Sequence, residues 1–526
     1  MAENDKPAVA GAENTNVSQA AVRAFGGGNP NAPMIPLGAK LKMLAEAKGD
    51  APAITFLNAG QGKTITYRDF HKRTNRIARA LQAAGVREGD LVTIGLPNGI
   101  GFLEATWGAW KMGATPQPVS SRLPKHEIEA IAELAETPIV LAEADMPTDR
   151  KRLNIADLEK LATDDSDFEY KIAPVLKAPT SGGSTGRPKL ILSGSPGVTS
   201  ADTPEVGGWR IRRDDICVQA APLYHNAPFQ HAQSALTQGA HLVLLPRFDA
   251  EEMMRTISEH RATWVYMVPT MMNRVWHLPP EVKGKYDMAS IRTLWHLAAP
   301  CPPWLKEAFI HWLGASVVME LYAGTEAQSA TIITGEEWLA HRGSVGRVAN
   351  GSMQAFDEDG KMLGPGEMGE IYMKRAEGVA PSYQYRGATA RTLPGGWESL
   401  GDMGYIDADG YLYLGDRRTD MILVGGANIY PAEIEAALDE HPLVLSSAVV
   451  GLPDDDLGNR VHAIIHGKPG VNEADLRKYI EERLVRYKQP RSYEFVDTPV
   501  RDDAGKVRRT ALRDERIAKL KAAAAK

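Results

Sequence analysis

The stretch TYRDFHKRTNRIARALQAAGVREGDLVTIGLPNGIGFLEATWGAWKMGATPQPV, residues 66–119, decides the fold class. Its first part predicts a helix from Tyr67 to Ala84, because Thr66 can cap the N-terminus and Asp69 follows three residues later. Apolar residues recur on one face of this helix, at Phe70, Ile77 and Leu81. Gly85 should end the helix, since glycine readily adopts the conformation that stops one.

Helix and strand signals keep alternating beyond this point. Buried strands are predicted at Leu91–Pro97 and Thr115–Val119, with a helix at Gly101–Lys111 between them. The same alternation returns later in the chain, as a helix end, glycine turn and strand at 235–246, a helix at 251–260 and a strand at 263–268. This pattern is typical of a largely parallel sheet flanked by helices, so we expect an α/β protein.

The composition changes after Met353, where short strand patterns are separated by Asp-Gly turns. These patterns predict a hairpin-rich, barrel-like β subdomain. From about Asp420 onward the signals predict a small α+β domain of its own. With 526 residues the chain is too long for one ordinary core. We therefore expect a flexible segment at 1–35, a large domain of parallel-rich sheets at 36–418, and a small mobile domain at 419–526.

The bulk composition excludes several classes of partner. Lys and Arg total 60 against 66 Asp and Glu, so the net charge of −6 gives no basic footprint for nucleic acid or an anionic membrane. Cys217 and Cys301 have neither metal-ligand nor disulfide-framework spacing, which favours a reducing compartment. The N-terminus is polar, and no apolar run approaches the ~18–20 residues of a membrane span. We expect a cytoplasmic protein that acts on small molecules, and the sequence leaves a homodimer open.

The strongest local motif is TSGGSTGRPKLIL, residues 180–192. Glycines let backbone N–H groups approach phosphate oxygens, hydroxyl groups add donors, and Lys189 adds a positive charge. The GxxxxGK[ST] spacing is absent and a strand follows the lysine, so the motif is not a Walker A loop. The residues predicted to cradle a polyphosphate are Thr180, Ser181, Gly182, Gly183, Ser184, Thr185, Gly186 and Lys189. Taken alone, the loop has roughly even odds of being an ordinary surface turn.

Further motifs follow this loop in order over about three hundred residues. They are APLYHNAP (221–228), AAPCPP (298–303), LYAGTE (321–326), ESLGDMGYID (398–407), GDRRTDMILVGGANIYPAEIE (415–435) and DDAGKVRR (502–509). Together with the loop they resemble the motifs of the adenylate-forming superfamily, which comprises acyl-CoA synthetases, adenylation domains and firefly-type luciferases. The resemblance covers roughly residues 36–513.

The resemblance implies a nucleotide site. Tyr322 would stack on adenine, beside the segment that contains Ala299 and Pro300. Thr325 is similar to the residue that hydrogen-bonds the AMP phosphate, and Glu326 to the carboxylate that holds Mg²⁺. The predicted contacts to the ribose hydroxyls come from two residues, Asp402 and Arg417.

The resemblance also implies two reaction steps, with ATP, Mg²⁺ and coenzyme A as cofactors. Lys506 would lie between the acid and the α-phosphate during adenylation and would withdraw when the small domain rotates. His225 is similar to the histidine that lines the acid pocket near the carboxylate. The predicted hinge is Thr419, where many relatives carry Lys or Asp, and the loop toward the thiol contains Gly425 and Gly426.

The acid is predicted to be bulky and apolar. No carboxylate occurs from His225 to Ala235, so an α-amino acid, whose ammonium would need a partner, is disfavoured. The residues expected to line the pocket are Asn226, Phe229, Trp295 and Leu297. The loop variant GGSTGRPKLI resembles a branch that includes bile-acid and steroid side-chain CoA ligases, and steroid, aromatic and fatty acids all remain candidates.

The alternatives concern the thiol and the reaction class. No carrier domain follows Lys506, which favours CoA over a stand-alone enzyme that loads a separate carrier protein. A non-catalytic nucleotide-binding scaffold is disfavoured because Lys506 and Glu326 are both present. A kinase using the glycine loop would release ADP, whereas a ligase of this type releases AMP and pyrophosphate.

Overall fold

The computed structural model describes residues 32–58, 61–182, 188–417, 420–424, 427–454, 457–502 and 505–524. Within them, no helix is both long and apolar enough to cross a membrane. The helices are Leu37–Lys48, Tyr67–Ala83, Ile100–Lys111, Lys125–Ala135, Ile155–Leu161, Asn226–Gln238, Ala250–His260, Pro269–Trp276, Pro280–Lys283, Pro303–Leu313, Gly335–Ala340, Pro431–Asp439, Glu473–Glu481 and Arg509–Ala524.

Helix Tyr67–Ala83 confirms its sequence signals. Thr66 Oγ1 accepts a hydrogen bond from the backbone N–H of Asp69 at 3.0 Å, as a capping residue should. Phe70 and Leu81 are completely buried, and the Phe70 ring packs edge to face against Trp107 of the next helix. The helix ends at Ala83, and Gly85 has a positive φ of 101°. The observed helix therefore ends one residue before the predicted end at Ala84.

A central sheet organises the large domain. Its strands, in spatial order, are Ser352–Phe356, Gly369–Lys374, Trp397–Ile406, Tyr411–Arg417, Ser344–Asn350, Ala330–Thr334, Val318–Ala323, Thr293–His296, Trp264–Met267, Ile216–Gln219, His241–Leu244, Pro52–Asn58 and Gln61–Thr66, with Arg391–Leu393 paired to Trp397–Ile406. The strands from Val318–Ala323 to Pro52–Asn58 are parallel and form the predicted α/β core.

The strands after Met353 form the hairpin-rich β subdomain that the sequence predicted. They are antiparallel and joined by tight turns, and their described pairings continue the central sheet. Strand Ser344–Asn350 makes the join, because it pairs with Tyr411–Arg417 on one side and with Ala330–Thr334 on the other. Alternating apolar residues and turns fix such hairpins but do not specify whether the sheet closes.

Smaller sheets complete the large domain. A parallel sheet is formed by Thr115–Pro118, Leu91–Gly95, Val140–Ala142 and Arg152–Leu153, in that spatial order. An antiparallel sheet is formed by Tyr383–Arg386, Pro188–Ser193 and Thr180–Gly182, and a two-stranded one by Met34–Pro36 and Val198–Ser200. The antiparallel sheet of three strands brings Thr180 and Lys189 beside residues from the far part of the chain.

The C-terminal region has its own core. Its sheet has the spatial order Val444–Asp454, Gly458–Gly467, Ser492–Val496, and a hairpin of Ile422–Val424 and Ala427–Ile429 precedes it. Residues of helices Pro431–Asp439 and Glu473–Glu481 share one apolar cluster with the first two strands. A second cluster joins this sheet to the last helix through Leu512 and Ile517. The small α+β domain that the sequence predicted is therefore confirmed.

Candidate active site

The candidate site lies along one edge of the central sheet. Strands Ile216–Gln219, Trp264–Met267, Thr293–His296 and Val318–Ala323 run parallel to one another, so their carboxyl ends meet at that edge. The chain that follows these strands carries, in the same order, His225, Thr270, the 297–300 segment and Glu326. Clefts at the carboxyl ends of parallel strands are the usual ligand sites of such sheets.

Glu326 is a buried side chain of the site with two polar partners. It is 5 % exposed and pairs with Lys189, whose Nζ lies 3.3 Å from Glu326 Oε1. The Tyr385 hydroxyl donates to the same oxygen at 2.5 Å, and the Lys189 ammonium lies 4.0 Å from the centre of the Tyr385 ring. Burial, together with this hydrogen bond, raises the pKa of Tyr385, so its hydroxyl remains a donor at neutral pH.

The residue types around Glu326 fit a magnesium ion bound with a nucleotide. Mg²⁺ commonly takes one or two carboxylates from the protein and its remaining ligands from phosphates and water. The Glu326 carboxylate accepts a hydrogen bond from Lys189, which belongs to the strand that follows the phosphate loop. Both of these contacts go to Oε1, and Glu326 Oε2 faces Gly324. A Cβ at Gly324 would lie 2.3 Å from Leu400 Cδ1 and 2.8 Å from Glu326 Oε2, which explains the glycine in LYAGTE.

The predicted adenine and ribose residues come together. The Tyr322 hydroxyl donates to Asp402 Oδ2 at 2.7 Å, although the two residues are 80 positions apart. The backbone of Asp402 pairs with that of Arg417 on the neighbouring strand. Thr325 is half-buried between Gly324 and Glu326. Tyr322 and Asp402 therefore lie together, with the backbone of Arg417 beside Asp402.

The segment expected at the adenine has a constrained backbone. Ala298 has a φ of 80°, a value that side-chain-bearing residues rarely adopt. Its side chain is exposed, as is Pro300, while Ala299 is half-buried. Such conformations persist only where the surroundings enforce them, and they occur often at ligand sites.

The pocket residues divide into two groups. His225 occupies the N-cap position of helix Asn226–Gln238 without a side-chain cap hydrogen bond, and it is half-buried, as is Asn226. Phe229 and Trp295 are instead fully buried in the core. The Phe229 ring packs edge to face against Phe102 and Trp110, and Trp295 Nε1 donates to the Trp209 carbonyl at 2.9 Å. Leu297 is 7 % exposed. The pocket role of these residues stays a prediction.

Lys506 lies in a tight turn of the small domain. Its N–H donates to Asp502 Oδ1 and its carbonyl accepts from the N–H of Asp502, both at 2.9 Å. Gly505, with φ +75°, is buried, and a Cβ there would lie 2.8 Å from Thr270 Oγ1 of the large domain. The turn that presents Lys506 therefore rests on the same sheet edge as the rest of the site.

Two arginines fix this turn from either side. Arg501 and Arg509 each donate to Glu435 Oε2, at 2.6 and 2.7 Å, and Glu435 is 2 % exposed. Although burial opposes it, the two guanidinium groups hold the pKa of Glu435 below its ordinary value. Arg509 also pairs with Asp420 at 3.0 Å. We call Glu435, Arg501 and Arg509 the Glu435 clamp.

Some predictions fall outside the described residues, and some site residues were missed. Gly183, Ser184, Thr185, Gly186, Thr419, Gly425 and Gly426 lie outside the described residues. Strand Thr180–Gly182 is present, and Thr180 Oγ1 accepts from Gln117 at 2.8 Å, with Ser181 and Gly182 following in the same strand. Sequence reasoning missed Tyr385, which carries no motif, and Lys177, a single lysine in the apolar run PVLKAP.

Comparison with known proteins agrees with this arrangement. A family model described as AMP-binding enzyme matches residues 41–384, and one described as AMP-binding enzyme C-terminal domain matches residues 433–506. A long-chain-fatty-acid–CoA ligase of Mycobacterium tuberculosis is 31 % identical over 474 residues, which are 86 % of this chain and 93 % of that protein. A fatty acid–[acyl-carrier-protein] ligase of Streptomyces coeruleorubidus is 30 % identical over 483 residues, which are 86 % of this chain and 92 % of that protein.

Solved structures give the same result. The o-succinylbenzoate CoA synthetase of Bacillus subtilis with its acyl-adenylate intermediate is 25 % identical, with a TM-score of 0.75 over 92 % of this chain and 99 % of that one. The same enzyme with ATP and a magnesium ion gives a TM-score of 0.74 at 25 % identity, over 91 % and 100 % of the two chains. From its two family matches, its relatives and its site, the chain belongs to the AMP-binding enzymes of the adenylate-forming superfamily.

Proposed function

We propose that this chain is an ATP-dependent acid–CoA ligase, which forms an acyl-adenylate and then an acyl-CoA thioester. The observation that carries the proposal is the buried Glu326, held by Lys189 and Tyr385 at the carboxyl edge of the sheet, with Tyr322 and Asp402 beside it. The relatives and solved structures named above include acid–CoA ligases, one of them bound to ATP and magnesium.

In the first step, an oxygen of the acid carboxylate attacks the α-phosphorus of ATP, and the bond to pyrophosphate breaks. Two anions must meet, so the Lys506 ammonium offsets their repulsion and stabilises the charge that develops. Lys189 and the phosphate loop hold the polyphosphate, and Glu326 would hold the magnesium ion, which neutralises phosphate charge when bound. Tyr322, Asp402 and Arg417 orient the adenosine.

In the second step, the thiol of CoA loses its proton and its sulfur attacks the acyl carbonyl. The bond between the carbonyl carbon and the phosphate oxygen breaks, and AMP leaves. We propose that the small domain, which begins at about residue 419, rotates between the steps and withdraws Lys506. The division into segments 1–35, 36–418 and 419–526 belongs to this proposal.

The remaining assignments are part of the same proposal. The acid is bulky and largely apolar, of the steroid, aromatic or fatty class, and it enters the pocket at His225 and Asn226. Cys217 and Cys301 are both free cysteines, which supports a reducing, cytoplasmic location. Light scattering of the purified protein distinguishes a monomer from the homodimer that the sequence left open.

Product analysis tests the function. The purified protein is incubated with Mg·ATP, CoA and acids from the bile-acid, steroid side-chain, aryl and fatty classes, and AMP, ADP and acyl-CoA are resolved by mass. We expect AMP together with one class of acyl-CoA. ADP as the product would contradict the ligase.

Loading of a carrier protein is the second candidate, because a relative at 30 % identity is an acyl-carrier-protein ligase. The same incubation is repeated with a phosphopantetheinylated carrier protein in place of CoA. Acyl transfer to the carrier, with acyl-adenylate but no thioester when CoA is supplied, would favour this candidate over the CoA ligase.

A further inference from the structure

Buried lysines in this protein are normally compensated by nearby oxygen atoms. Four lysine side chains among the described residues are buried, and they are Lys40, Lys111, Lys177 and Lys306. Lys306 forms an ion pair with Glu320, at 2.5 Å between Nζ and Oε2. Lys40 donates to three oxygen atoms between 2.6 and 3.2 Å, two of them backbone carbonyls. Lys111 donates to Asn75 Oδ1 at 2.6 Å and to the His71 carbonyl at 2.9 Å.

Lys177 is the exception. Its side chain is 5 % exposed, yet its one hydrogen bond among the described residues goes to the neutral amide oxygen of Asn226. No carboxylate of the described residues pairs with it, and burial alone lowers its pKa to about 7. An ammonium group has three N–H donors, and leaving a buried charge without a partner is unfavourable.

The place to which Lys177 points also favours an anion. Asn226 is the first residue of helix Asn226–Gln238, which has no acidic residue in its first turn and no side-chain cap. The N-terminus of a helix carries a partial positive charge and exposed N–H groups. The Lys177 ammonium and the helix N-terminus are both positively charged and lie side by side, so a negatively charged ligand would stabilise both.

The backbone pairing of the segment that contains Lys177 indicates where this ligand lies. Ser181 pairs with Lys189, and the same antiparallel ladder continues to Lys177, whose carbonyl accepts from the N–H of Ser193 at 3.0 Å. Residues four apart in a strand point to the same face and lie about 13 Å apart. Lys177 and Lys189 therefore share one face, with Lys189 at Glu326 and Lys177 at the far, pocket end.

We propose that Lys177 is the receptor for a second carboxylate on the substrate, and that the acid activated by this enzyme is therefore a dicarboxylic acid. The inference rests on the proposed ligase function, which places the reacting carboxylate at the Lys189–Glu326 end. Lys177 and the start of helix Asn226–Gln238 bind the other carboxylate, and the bulky apolar body of the acid spans the distance between them.

The chemistry of the two steps favours the second carboxylate over the reacting one. The reacting carboxylate loses its charge when it becomes a mixed anhydride with AMP, which would leave Lys177 buried and uncompensated midway through the reaction. A second carboxylate keeps its charge through adenylation and thiol transfer. Lys177 thus remains paired in both steps and acts on substrate choice and orientation.

The test compares matched acids on the wild type and on K177M. Alicyclic, aryl and long-chain dicarboxylic acids are each paired with the monomethyl ester that leaves one carboxylate free. AMP and acyl-CoA are measured with Mg·ATP and CoA. We expect the wild type to prefer the diacid by on the order of 10²-fold in kcat/KM, the effect of one buried charge pair. K177M should lose this preference while it still turns over the monoester.

A matched control separates recognition from folding. K40M makes the same substitution at a buried lysine outside the proposed pocket and should leave the diacid-to-monoester ratio unchanged, whatever it does to stability. The ratio does not depend on the fraction of folded enzyme. Equal use of diacid and monoester by the wild type, or the same ratio in K177M as in the wild type, would overturn the inference.

A binding measurement keeps the inference separate from the ligase proposal. The thermal unfolding midpoint is recorded with each diacid and each monoester, without ATP or CoA. We expect diacids to raise the midpoint of the wild type and not that of K177M. If no acid yields AMP, the ligase proposal fails, and the midpoint shift alone then supports or overturns the carboxylate receptor.

Discussion

Replacing Glu435 by Gln should impair adenylation selectively. Glu435 touches none of the reacting groups, but its carboxylate holds Arg501 and Arg509, the residues that flank the turn carrying Lys506. Glutamine keeps the shape and one acceptor oxygen but removes the negative charge. The two guanidinium groups then repel each other in a buried place, so the turn loosens and Lys506 loses its fixed position. Glu435 is thus a positioning residue.

The magnitude follows from the burial of the clamp. The side chains of Arg501 and Arg509 are 11 % and 15 % exposed, and that of Glu435 is 3 % exposed. Breaking a buried ion pair by removing one partner costs about 3–5 kcal/mol. The amide oxygen of the substituted glutamine can still accept one hydrogen bond, so we take about 3 kcal/mol, the lower end of this range. That energy corresponds to a decrease on the order of 10²-fold in a rate that requires the docked turn.

The two half-reactions are assayed separately. Adenylation is followed by exchange of pyrophosphate into ATP, and thiol transfer by a single turnover of preformed acyl-adenylate with CoA. We expect E435Q to lose about 10²-fold in exchange and only a few-fold in transfer, from which Lys506 is proposed to withdraw. E494Q is the control, because Glu494 pairs with Arg516 in the same domain but is 30 % exposed. Equal losses in both half-reactions, or equal exchange in E435Q and E494Q, would refute the reasoning.

Four further predictions extend these expectations. K506A should lose adenylation by on the order of 10²- to 10³-fold and keep thiol transfer, so unchanged pyrophosphate exchange would contradict its role. E326Q should weaken the dependence of exchange on Mg²⁺, and a magnesium titration identical to the wild type would exclude it as the metal ligand. G505A adds a Cβ 2.8 Å from a large-domain side chain at φ +75°, whereas G458A adds one in open space at φ +76°. Both variants should lose about 1–2 kcal/mol of stability to backbone strain, but only G505A should also reduce pyrophosphate exchange. The pKa of Lys177 is about 7 in the folded protein and 10.5, its ordinary value, in the unfolded chain. Between these two pH values the unfolded state therefore binds more protons, and the free energy of unfolding rises with pH. K177M should remove that rise and stabilise the protein at pH 7 by about 1–4 kcal/mol, as measured by urea unfolding at pH 7 and pH 9.

Local patterns in the sequence predicted much of the fold. The Thr66 cap and the apolar spacing placed helix Tyr67–Ala83 to within one residue at its end. The glycine turn before His241 was also correct, because Gly239 ends its helix with φ +82°. In the structure, the predicted motifs follow successive parallel strands in chain order. These features depend on near neighbours in the chain, which is the information that periodicity contains.

Contacts between distant segments could not be predicted in this way. The hydrogen bond from Tyr385 to Glu326 joins residues 59 positions apart, and Tyr385 lies in the short strand Tyr383–Arg386, which carries no motif. Hairpin patterns predicted the antiparallel strands after Met353, but they do not specify that these strands continue the central sheet. Phe229 and Trp295 have the apolar character of both a pocket and a core, and only packing places them in the core. For Lys177, the deciding fact is that no carboxylate among the described residues pairs with it, which no sequence pattern records.

The polar contacts of the small domain differ in strength in a way that suits a two-step reaction. Inside the domain, the buried Glu435 clamp and the Arg509–Asp420 pair tie the Lys506 turn to the residue that follows the expected hinge. Across to the large domain, Lys468 Nζ donates to the His277 carbonyl at 3.4 Å, which is long for a hydrogen bond. Arg508 lies 4.0 Å from Glu127, and its side chain is 74 % exposed, a geometry that contributes about 0–1 kcal/mol.

In the proposed rotation, the Lys506 turn would move together with the Glu435 clamp, and these two weak contacts to the large domain would break. The proposed mechanism requires that Lys506 is held firmly while two anions meet and that it leaves before the thiol arrives. A catalytic turn bound strongly within its own domain and weakly to the other meets both needs. The same difference explains why E435Q should affect adenylation far more than thiol transfer, since the clamp holds the turn that carries Lys506.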